Sequence, residues 1–330
     1  MTNDAEVLAS RRLCVAPMMN RTDRHFRYLL RLLTRCTWLY TEMLVARALL
    51  HGDPRRLLRH DARERPLALQ LGGYEPAVLA NAARIAEAEG FDEINLNVGC
   101  PSARVRAGRM GACLMAEPAL VGDCIAAMRA ASSLPVTVKT RLGIDHHDDF
   151  PFLCGFSEAV AAAGCGVLIV HARKAWLHGL DPKANRSVPT LDYGRVHEVK
   201  KHFPQLEVII NGGVNDLDTA AELLGQVDGV MLGRAAYAKP LLLAEADARF
   251  YGLHRVAPAL DEVLEGYLDY LGAIAAAGER IGPALRHLPN LLSGLPATRA
   301  LRRSLAQCAP HNDLRELARI CAPLLRRQAA

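Results

Sequence analysis

Short apolar runs alternate with amphipathic segments along most of the chain. Eight runs rich in apolar and β-branched residues have the length expected of strands in a parallel sheet, at residues 13–17, 38–41, 67–71, 93–97, 136–140, 166–171, 207–211 and 229–232. Apolar positions with helical spacing lie between them and predict helices over 24–33, 76–89, 118–130, 152–163, 193–202 and 217–225. This repeated alternation is typical of an α/β protein with a (β/α)8 TIM barrel.

A doubly wound parallel sheet is the competing α/β fold. Its first strand is usually followed by a glycine-rich turn that binds a dinucleotide. Residues 14–19, Cys-Val-Ala-Pro-Met-Met, contain no glycine, which favours the barrel. After Pro240 the strand pattern stops, and prolines at 258, 283, 289, 296 and 310 divide a helical pattern into short segments. We therefore predict a TIM barrel over residues 1–242 and a small all-helical C-terminal domain over residues 243–330.

The charge of the chain is unevenly distributed. The 330 residues carry a net charge of +5, yet residues 280–330 hold nine arginines and two acidic residues. That segment therefore has a net charge of +7, and the remainder has −2. A basic helical tail on a slightly acidic body suggests a polyanionic partner, although a solvated helical face would have the same composition.

The sequence shows none of the usual signs of membrane insertion or export. No uncharged apolar run reaches the ~18 residues of a transmembrane helix, and the first residues are acidic, unlike a signal peptide. Nine scattered cysteines without a Cys-x-x-Cys pair suit reduced thiols and oppose both a disulfide framework and a zinc site. We expect a cytoplasmic protein without a metal, and nothing implies an obligate protein partner.

Polar residues follow nearly every predicted strand, at the end of a barrel where active sites lie. The strand ends carry Pro17, Met18, Glu42, Gln70, Asn95, Asn97, Cys100, Lys139, Arg141, His171, Arg173, Asn211 and Arg234. Core strands would stay apolar at these positions. The ring of polar strand ends therefore predicts a binding site at the C-terminal end of the barrel, which we call the mouth.

Two strand ends have the composition of a phosphate site. Residues 211–213, Asn-Gly-Gly, follow the seventh strand, and Gly233 and Arg234 follow the eighth. Glycines let backbone N–H groups approach a phosphate closely, and an arginine adds charge-assisted hydrogen bonds. Two ordinary tight turns are the alternative explanation.

Three further strand ends suit a flavin. Lys139 and His171 would face a ring that gains negative charge on reduction, and the amide of Gln70 would suit its pyrimidine-like edge. For His171 taken alone, a hydrogen-bonded core histidine is the alternative. The three residues together, at matching strand ends, favour a ligand role.

Cys100 is the candidate for chemistry at the mouth. It follows Gly99, which permits a turn, and precedes Pro101, which stiffens the chain, so a thiol presented to a pocket competes with a packed core cysteine. A thiol with a pKa near ~8.5 is mostly protonated at neutral pH and can donate a proton, whereas a nucleophilic role needs an activating base. Beside a flavin, proton donation complements hydride transfer to an activated double bond.

Motifs along the whole chain indicate a family resemblance. They are Ala-Pro-Met-Met at 16–19, Leu-Gln-Leu-Gly-Gly at 69–73, Asn-Leu-Asn-Val-Gly-Cys-Pro-Ser at 95–102, Val-Lys-Thr-Arg at 138–141, His-Ala-Arg-Lys-Ala at 171–175, Asn-Gly-Gly at 211–213 and Met-Leu-Gly-Arg-Ala at 231–235. With these motifs in this order, the chain resembles the tRNA-dihydrouridine synthases, FMN enzymes that reduce a uridine of tRNA with NADPH. Residues 176–186 resemble the signature of the A subfamily, which acts at positions 20 and 20a of the D-loop.

The resemblance implies a role for individual residues. The flavin would be lined by Pro17, Met18 and Met19, contacted at its ring by Gln70, Lys139 and His171, and held at its phosphate by Asn211, Gly212, Gly213, Gly233 and Arg234. Cys100 would protonate C5 of uracil after hydride reaches C6, and Asn97 would contact the substrate uridine. Contacts with tRNA would come from Lys183, Arg186, Arg299 and Arg302.

The chain departs from the family pattern at Asn20 and Arg21, where the family usually has Asp-Trp or a similar pair. Two other functions stay open. One is an FMN barrel acting on a free pyrimidine, in the manner of dihydroorotate dehydrogenases, which would not need a basic helical domain. The other is an RNA-binding module whose barrel has lost catalysis, and the intact Cys100, Lys139 and His171 disfavour it.

Overall fold

All eight predicted strands form, and every pairing between them is parallel. The computed structural model describes residues 10–253, 256–293, 303–304 and 314–325. Its strands are β1 (Leu13–Val15), β2 (Trp38–Tyr40), β3 (Leu44–Val45), β4 (Leu67–Gly72), β5 (Glu93–Val98), β6 (Val136–Arg141), β7 (Val167–His171), β8 (Glu207–Asn211) and β9 (Gly229–Leu232). β9 pairs with β1 and β2 pairs with β4, which closes the ring, while the unpredicted two-residue β3 pairs with β4. The predicted (β/α)8 TIM barrel is confirmed.

The barrel has an outer and an inner packing layer. Alternate side chains of a strand point to opposite faces, so one set meets the helices and the other fills the barrel interior. The outer layer is apolar, as at Ile94, Leu96 and Val138. The interior is apolar mainly where β1, β2 and β7 to β9 contribute to it, around Tyr40 and Met231. From β4 to β6 the buried inner side chains other than Ala68 are polar, namely Gln70, Glu93, Asn95, Asn97, Thr137 and Arg141.

Helices follow the strands and cover the outside of the barrel. They are α1 (Arg24–Leu33), α2 (Ala46–His51), α3 (Pro54–Leu57), α4 (Pro76–Ala88), α5 (Ala103–Ala107), α6 (Pro118–Ala131), α7 (Phe150–Ala162), α8 (Tyr193–His202) and α9 (Leu217–Leu223), with 3-10 turns at Ala62–Glu64, Gly111–Ala116 and Ala184–Arg186. Asp23, Asp149, Asp192 and Asp216 each begin a helix by accepting a hydrogen bond from a first-turn N–H. The six predicted helices form with ends within two residues of the prediction. The short α2, α3 and α5 were not predicted, because so few residues show no helical period.

After β9 the described part of the chain is helical and contains no strand. Its helices are α10 (Arg234–Ala238), α11 (Ala246–Tyr251), α12 (Leu260–Ala276), α13 (Gly282–Leu285), α14 (Leu288–Leu291) and α15 (Leu314–Leu325), with a 3-10 turn at Pro240–Glu245. These helices agree with the expected helical C-terminal part, and the boundary after residue 242 stays a prediction. Among the described residues, no helix is both long enough and apolar enough to cross a bilayer.

α11 joins this helical part to the barrel end opposite the mouth. The Tyr251 hydroxyl lies 3.1 Å from both the backbone nitrogen and the backbone oxygen of Leu13, where β1 begins. The Asp247 carboxylate accepts hydrogen bonds from the Thr34 hydroxyl (2.6 Å) and the Arg35 backbone N–H (2.7 Å), shortly before β2. Both contacts are at the N-terminal ends of strands and therefore cover the far end of the barrel.

α12 and the residues after it contact α1 beside the mouth. Nδ1 of His25 lies 2.9 Å from the Tyr270 hydroxyl, and Nε2 of His287 lies 3.0 Å from the Asp23 carboxylate. Although burial opposes it, the contacts with His287 and the Phe26 N–H hold the pKa of Asp23 well below its usual value. Because α1 begins after the loop that follows β1, these helices lie next to the mouth.

Candidate active site

Cys100 lies in a turn that is hydrogen-bonded on both sides. It comes just after β5 and is half-buried. The side-chain oxygen of Asn97 accepts hydrogen bonds from the backbone N–H of Gly99 (3.1 Å) and of Cys100 (3.0 Å). The carbonyl of Cys100 accepts one from Ala112 (2.9 Å), and a Cβ at Gly111 would lie only 2.3 Å from that carbonyl oxygen. The backbone around the thiol is therefore fixed at the mouth.

Two predicted ligand contacts, Gln70 and Asn97, are hydrogen-bonded to each other. Nδ2 of Asn97 donates to Oε1 of Gln70 (2.8 Å), and Nε2 of Gln70 donates to Oδ1 of Asn95 (2.8 Å). All three side chains are buried in the barrel interior. Gln70 and Asn97 each keep one amide hydrogen that these bonds do not use. The contacts expected with flavin and uridine stay predictions, and such contacts would use these N–H groups.

Lys139 lies on β6 and contacts β8, the second strand along from it in the barrel. Its Nζ donates a hydrogen bond to Oδ1 of Asn211 (2.9 Å), and Nδ2 of Asn211 donates to the carbonyl of Met231 (2.7 Å). Burial and the nearby charge of Arg141 lower the pKa of Lys139 to about 7, although a charge on Cys100 would raise it. The structure thus brings together Lys139 and Asn211, two residues that the sequence assigned to one site, and gives the amine a pKa near neutrality.

The imidazole of His171, at the end of β7, is held neutral. Burial, then the positive charges of Arg141, Lys139 and two further arginines, lower the pKa of His171 well below its ordinary value. A neutral imidazole donates through one nitrogen and accepts through the other. The contact that the sequence predicts between His171 and a flavin ring would therefore be a hydrogen bond from a neutral imidazole.

The three glycines of the predicted phosphate site differ in backbone conformation and in the space around them. Gly212 and Gly213 have φ values of +110° and +73°, which disfavour any side chain. A Cβ on Gly212 would also lie 2.6 Å from Cδ2 of His171. Gly233 has φ −112°, and a Cβ there would come no closer than 4.0 Å to its nearest neighbour, the Cβ of Ala16. Packing within the protein thus explains the first two glycines and leaves space at the third.

Arg173, Arg186 and Arg234 form a positive cluster at the mouth. Burial and the charge of Arg234 lower the pKa values of Arg173 and Arg186. The Nε atoms of Arg173 and Arg186 are buried and have no hydrogen-bond partner among the described residues. Buried donors are normally satisfied, so these two suit an anionic ligand such as a phosphate.

Arg141 connects the Cys100 turn to residues 176–186. Its Nε donates to the carbonyl of Gly99 (3.1 Å), and its Nη1 donates to the carbonyl of Asn185 (3.0 Å). The buried amide of Asn185 in turn bonds both the backbone N–H (2.8 Å) and the carbonyl (3.0 Å) of Trp176. These hydrogen bonds hold residues 176–186, the segment that resembles a subfamily signature, beside the Cys100 thiol.

The sequence profile of a family described as Dihydrouridine synthase (Dus) matches residues 14–326, which is nearly the whole chain. The chain belongs to the dihydrouridine synthase family. It is therefore an oxidoreductase of the kind that forms dihydrouridine, as the motifs at the strand ends had indicated. The family resemblance drawn from the sequence is confirmed.

Several relatives are similar to this dihydrouridine synthase over most of their length. A protein of Synechocystis sp. named tRNA-dihydrouridine(20/20a) synthase is 52% identical over 294 residues, which cover 89% of this chain and 88% of the relative. Proteins of the same name from Shewanella oneidensis and Escherichia coli K12 are each 48% identical over 310 residues. These matches cover 94% of this chain and 92% and 90% of the two relatives.

The loop after β1 of this dihydrouridine synthase contains three further predicted flavin contacts. Pro17 and Met18 are half-buried, whereas Met19 is 58% exposed, which is unusual for a large apolar side chain. The N–H of Met18 donates to the Thr22 hydroxyl (2.9 Å), so the loop folds back on itself. Asn20 takes φ +60°, a left-handed conformation that asparagine tolerates better than most residues. The departure from the family pattern at this position thus fits the turn.

Two of the predicted tRNA contacts are described by the structure. Lys183 is exposed at the start of the Ala184–Arg186 turn, and Arg186 belongs to the positive cluster. Arg299 and Arg302 lie outside the described residues. All four tRNA contacts therefore stay predictions for this dihydrouridine synthase.

Sequence reasoning missed two residues that shape the site. Arg21 was noted only as a departure from the family pattern, yet it lies over the Tyr237 ring at 5.0 Å and adds its charge to the cluster around Arg186. Asn185 was not singled out, although its amide organises residues 176–186. An arginine beside a predicted strand end was a usable signal for Arg21, whereas nothing local distinguishes Asn185 from other loop asparagines.

Proposed function

We propose that this enzyme reduces uridine to 5,6-dihydrouridine in the D-loop of tRNA, at positions 20 and 20a. FMN is the bound cofactor in this proposal, and NADPH is its reductant. The observation that carries the proposal is the fixed Cys100 turn, which holds a thiol at the mouth close to Lys139 and Arg141. The names of relatives about half identical to this chain support tRNA as the substrate and 20/20a as the positions.

The donors at the mouth fit FMN. The unsatisfied Nε atoms of Arg173 and Arg186 suit its phosphate, and the open space at Gly233 lets a ligand approach the backbone. Asn211, Gly212, Gly213, Gly233 and Arg234 would hold the phosphate, Gln70, Lys139 and His171 the ring, and Pro17, Met18 and Met19 its apolar side. FMN bound there would, when reduced, supply the hydride for C6 of uracil.

Cys100 would complete the reduction by proton donation. Its S–H bond breaks as a C–H bond forms at C5, and the thiolate that remains takes a proton from solvent. Lys139 and Arg141 interact favourably with a negative charge on Cys100, so they stabilise the thiolate while it lasts. One hydride and one proton together saturate the C5–C6 double bond.

The electrostatics of the mouth favour tRNA over a free pyrimidine. The positive cluster and the exposed Lys183 offer more positive charge than one FMN phosphate requires, and a polynucleotide would use it. The RNA-binding module without catalysis is disfavoured because Cys100, Lys139 and His171 are brought to one mouth. None of the eight described cysteines forms a disulfide, which supports a cytoplasmic location for an enzyme of tRNA.

Flavin analysis combined with substrate comparison tests the proposal. The purified protein should be yellow, release FMN on denaturation, and oxidise NADPH as a D-loop fragment of tRNA gains two hydrogens by mass spectrometry. Release of FAD, or of no flavin, would contradict the cofactor. Reduction of free uracil or orotate in place of tRNA would favour the free-pyrimidine reductase. Tight tRNA binding by a colourless protein would favour the binding module.

A further inference from the structure

A carboxylate buried deep in the barrel is fully hydrogen-bonded. Glu93 is completely buried on the inner face of β5. Its Oε1 accepts hydrogen bonds from the hydroxyls of Thr137 (2.6 Å) and Tyr40 (2.9 Å), and its Oε2 accepts one from Nε of Arg11 (2.6 Å). A buried carboxylate with such partners is an acceptor at a fixed position.

A single chain of hydrogen bonds runs from this carboxylate to the Cys100 turn. The Thr137 hydroxyl accepts from Nδ2 of Asn95 (2.8 Å), and Oδ1 of Asn95 accepts from Nε2 of Gln70 (2.8 Å). Oε1 of Gln70 accepts from Nδ2 of Asn97 (2.8 Å). The last acceptor, Oδ1 of Asn97, receives the backbone N–H of Cys100 (3.0 Å). This series of hydrogen bonds starts on β5, passes through side chains of β6, β5 and β4, and returns to β5 at the mouth.

The direction of every bond in this chain follows from its first member. A carboxylate only accepts, so the Thr137 hydroxyl donates its single hydrogen to Glu93 and is the acceptor in its bond with Asn95. Asn95 must therefore direct its nitrogen to Thr137 and its oxygen to Gln70. By the same argument Gln70 directs its oxygen to the Asn97 nitrogen. The Asn97 oxygen then accepts from the backbone N–H of Cys100.

We propose that Glu93, Thr137 and Asn95 are positioning residues for the reduction. They support the orientation of the Asn97 amide in which its oxygen fixes the Cys100 backbone, and they leave one N–H each of Gln70 and Asn97 for ligands. N–H groups match the carbonyl oxygens of uracil and would meet the amino group of cytosine unfavourably. This positioning role presupposes the proposed function, because the reaction it supports is the reduction of uridine.

The energetics support a role beyond filling the barrel. The other side of the interior is filled by apolar residues such as Ile169, Ile209 and Met231. A buried polar chain contributes little net stability, yet it is costly to break, because each interrupted bond leaves an unsatisfied group. Thr137 and its partners therefore specify orientation at the mouth more than they add to stability.

Three substitutions on β6 separate positioning from packing. Thr137→Val keeps the shape and removes the hydroxyl, whereas Thr137→Ser keeps the hydroxyl and removes the methyl. Thr140→Val is the matched control, because Thr140 is equally buried on the same strand and its hydroxyl only reaches the Val98 carbonyl at 3.4 Å. If Thr137→Val does not fold, Thr137→Ala replaces it in the comparison with Thr137→Ser.

The measurements on the FMN-loaded enzyme are kcat and KM with tRNA, and the alkylation rate of Cys100, followed by peptide mass spectrometry. Thr137→Val removes two buried hydrogen bonds, the one donated to Glu93 and the one accepted from Asn95. The bond with Asn95 is the one that leads toward Cys100, and loss of one such bond corresponds to about a tenfold effect. We expect Thr137→Val to lower kcat about tenfold, with little change in KM, and to change the alkylation rate several-fold. Thr137→Ser and Thr140→Val should stay within about twofold of the unmodified enzyme.

A larger loss of kcat in Thr137→Ser than in Thr137→Val would mean that the packing of the methyl group matters more than the hydroxyl. That result would overturn the proposal. Unchanged kcat and unchanged alkylation in Thr137→Val would also overturn it. If the unmodified enzyme does not reduce tRNA at all, the proposed function fails, and the order of the Cys100 alkylation rates still tests the positioning role by itself.

Discussion

The side-chain oxygen of Asn97 lies 3.0 Å from the backbone nitrogen of Cys100 and accepts its hydrogen bond. One residue thus builds the turn that carries the candidate acid and also presents an N–H to whatever lies at the mouth. Substitution of Asn97 would therefore disturb both functions together. Tests of the chemistry are cleaner at the thiol itself.

Replacement of Cys100 by alanine should remove the proton donor and leave the fold intact. We expect turnover of tRNA to fall at least about a hundredfold, because a positioned general acid contributes about that much. The visible FMN spectrum and the melting temperature should not change. Cys113→Ala is the control, since that thiol is also half-buried and lies 3.2 Å from the Met110 carbonyl. Equal turnover in the two variants would remove Cys100 from the mechanism.

Alanine should weaken FMN binding at Gly233 and lower the stability of the fold at Gly212. Gly233→Ala places its Cβ in open space, so we expect unchanged stability and at least about tenfold weaker FMN binding, because the ligand loses its approach to the backbone. Gly212→Ala meets His171 at 2.6 Å with φ +110°, so its free energy of unfolding should fall by more than about 1 kcal/mol. Urea unfolding and fluorescence titration with FMN measure the two effects. Normal FMN affinity in Gly233→Ala would place the phosphate elsewhere.

Lys139 should make the stability of the flavin-free protein depend on pH above neutrality. Its pKa is lowered from 10.5 to about 7 in the folded protein, first by burial. Between these values the unfolded chain binds a proton that the folded protein lacks, so the free energy of unfolding rises with pH. Lys139→Met should remove up to about 1.4 kcal/mol per pH unit of this rise.

Urea unfolding at several pH values between about 7 and about 10 measures that difference. Lys201→Met, on the exposed C-terminal turn of α8, serves as the control. Parallel stability curves for the unmodified protein and Lys139→Met would mean that the amine keeps an ordinary pKa.

Lys183 should contribute to tRNA binding and not to FMN binding. Lys183→Ala removes an exposed charge beside the mouth, so we expect the salt dependence of tRNA binding to lose about one unit of log–log slope. Lys201→Ala removes another exposed lysine, at the far end of the barrel, and should leave the slope unchanged. Filter binding at several salt concentrations measures both. Arg299→Ala and Arg302→Ala are expected to behave like Lys183→Ala, and unchanged slopes would mean that these charges only face solvent.

The barrel and the identity of its strand ends could be predicted from the amino-acid sequence alone. Eight apolar runs separated by helical segments allow few other folds, and strand ends of a barrel converge on one mouth whatever the exact geometry. The short α2, α3 and α5 were not predicted because four to six residues are too few for the helical period to repeat. The family motifs then implied flavin contacts and proton donation for residues that were already expected at the mouth.

The hydrogen-bond partners of the polar side chains could not be predicted, because they depend on the three-dimensional arrangement of the strands. Asn95 and Thr137 are 42 positions apart, and Lys139 and Asn211 are 72 apart, so their hydrogen bonds depend on strand register and barrel closure. Burial beside arginines makes His171 neutral, which no local pattern reveals. A period of two residues along a strand fixes the face that a side chain occupies. Its partner, its charge and the direction of its hydrogen bonds depend on the neighbouring strands.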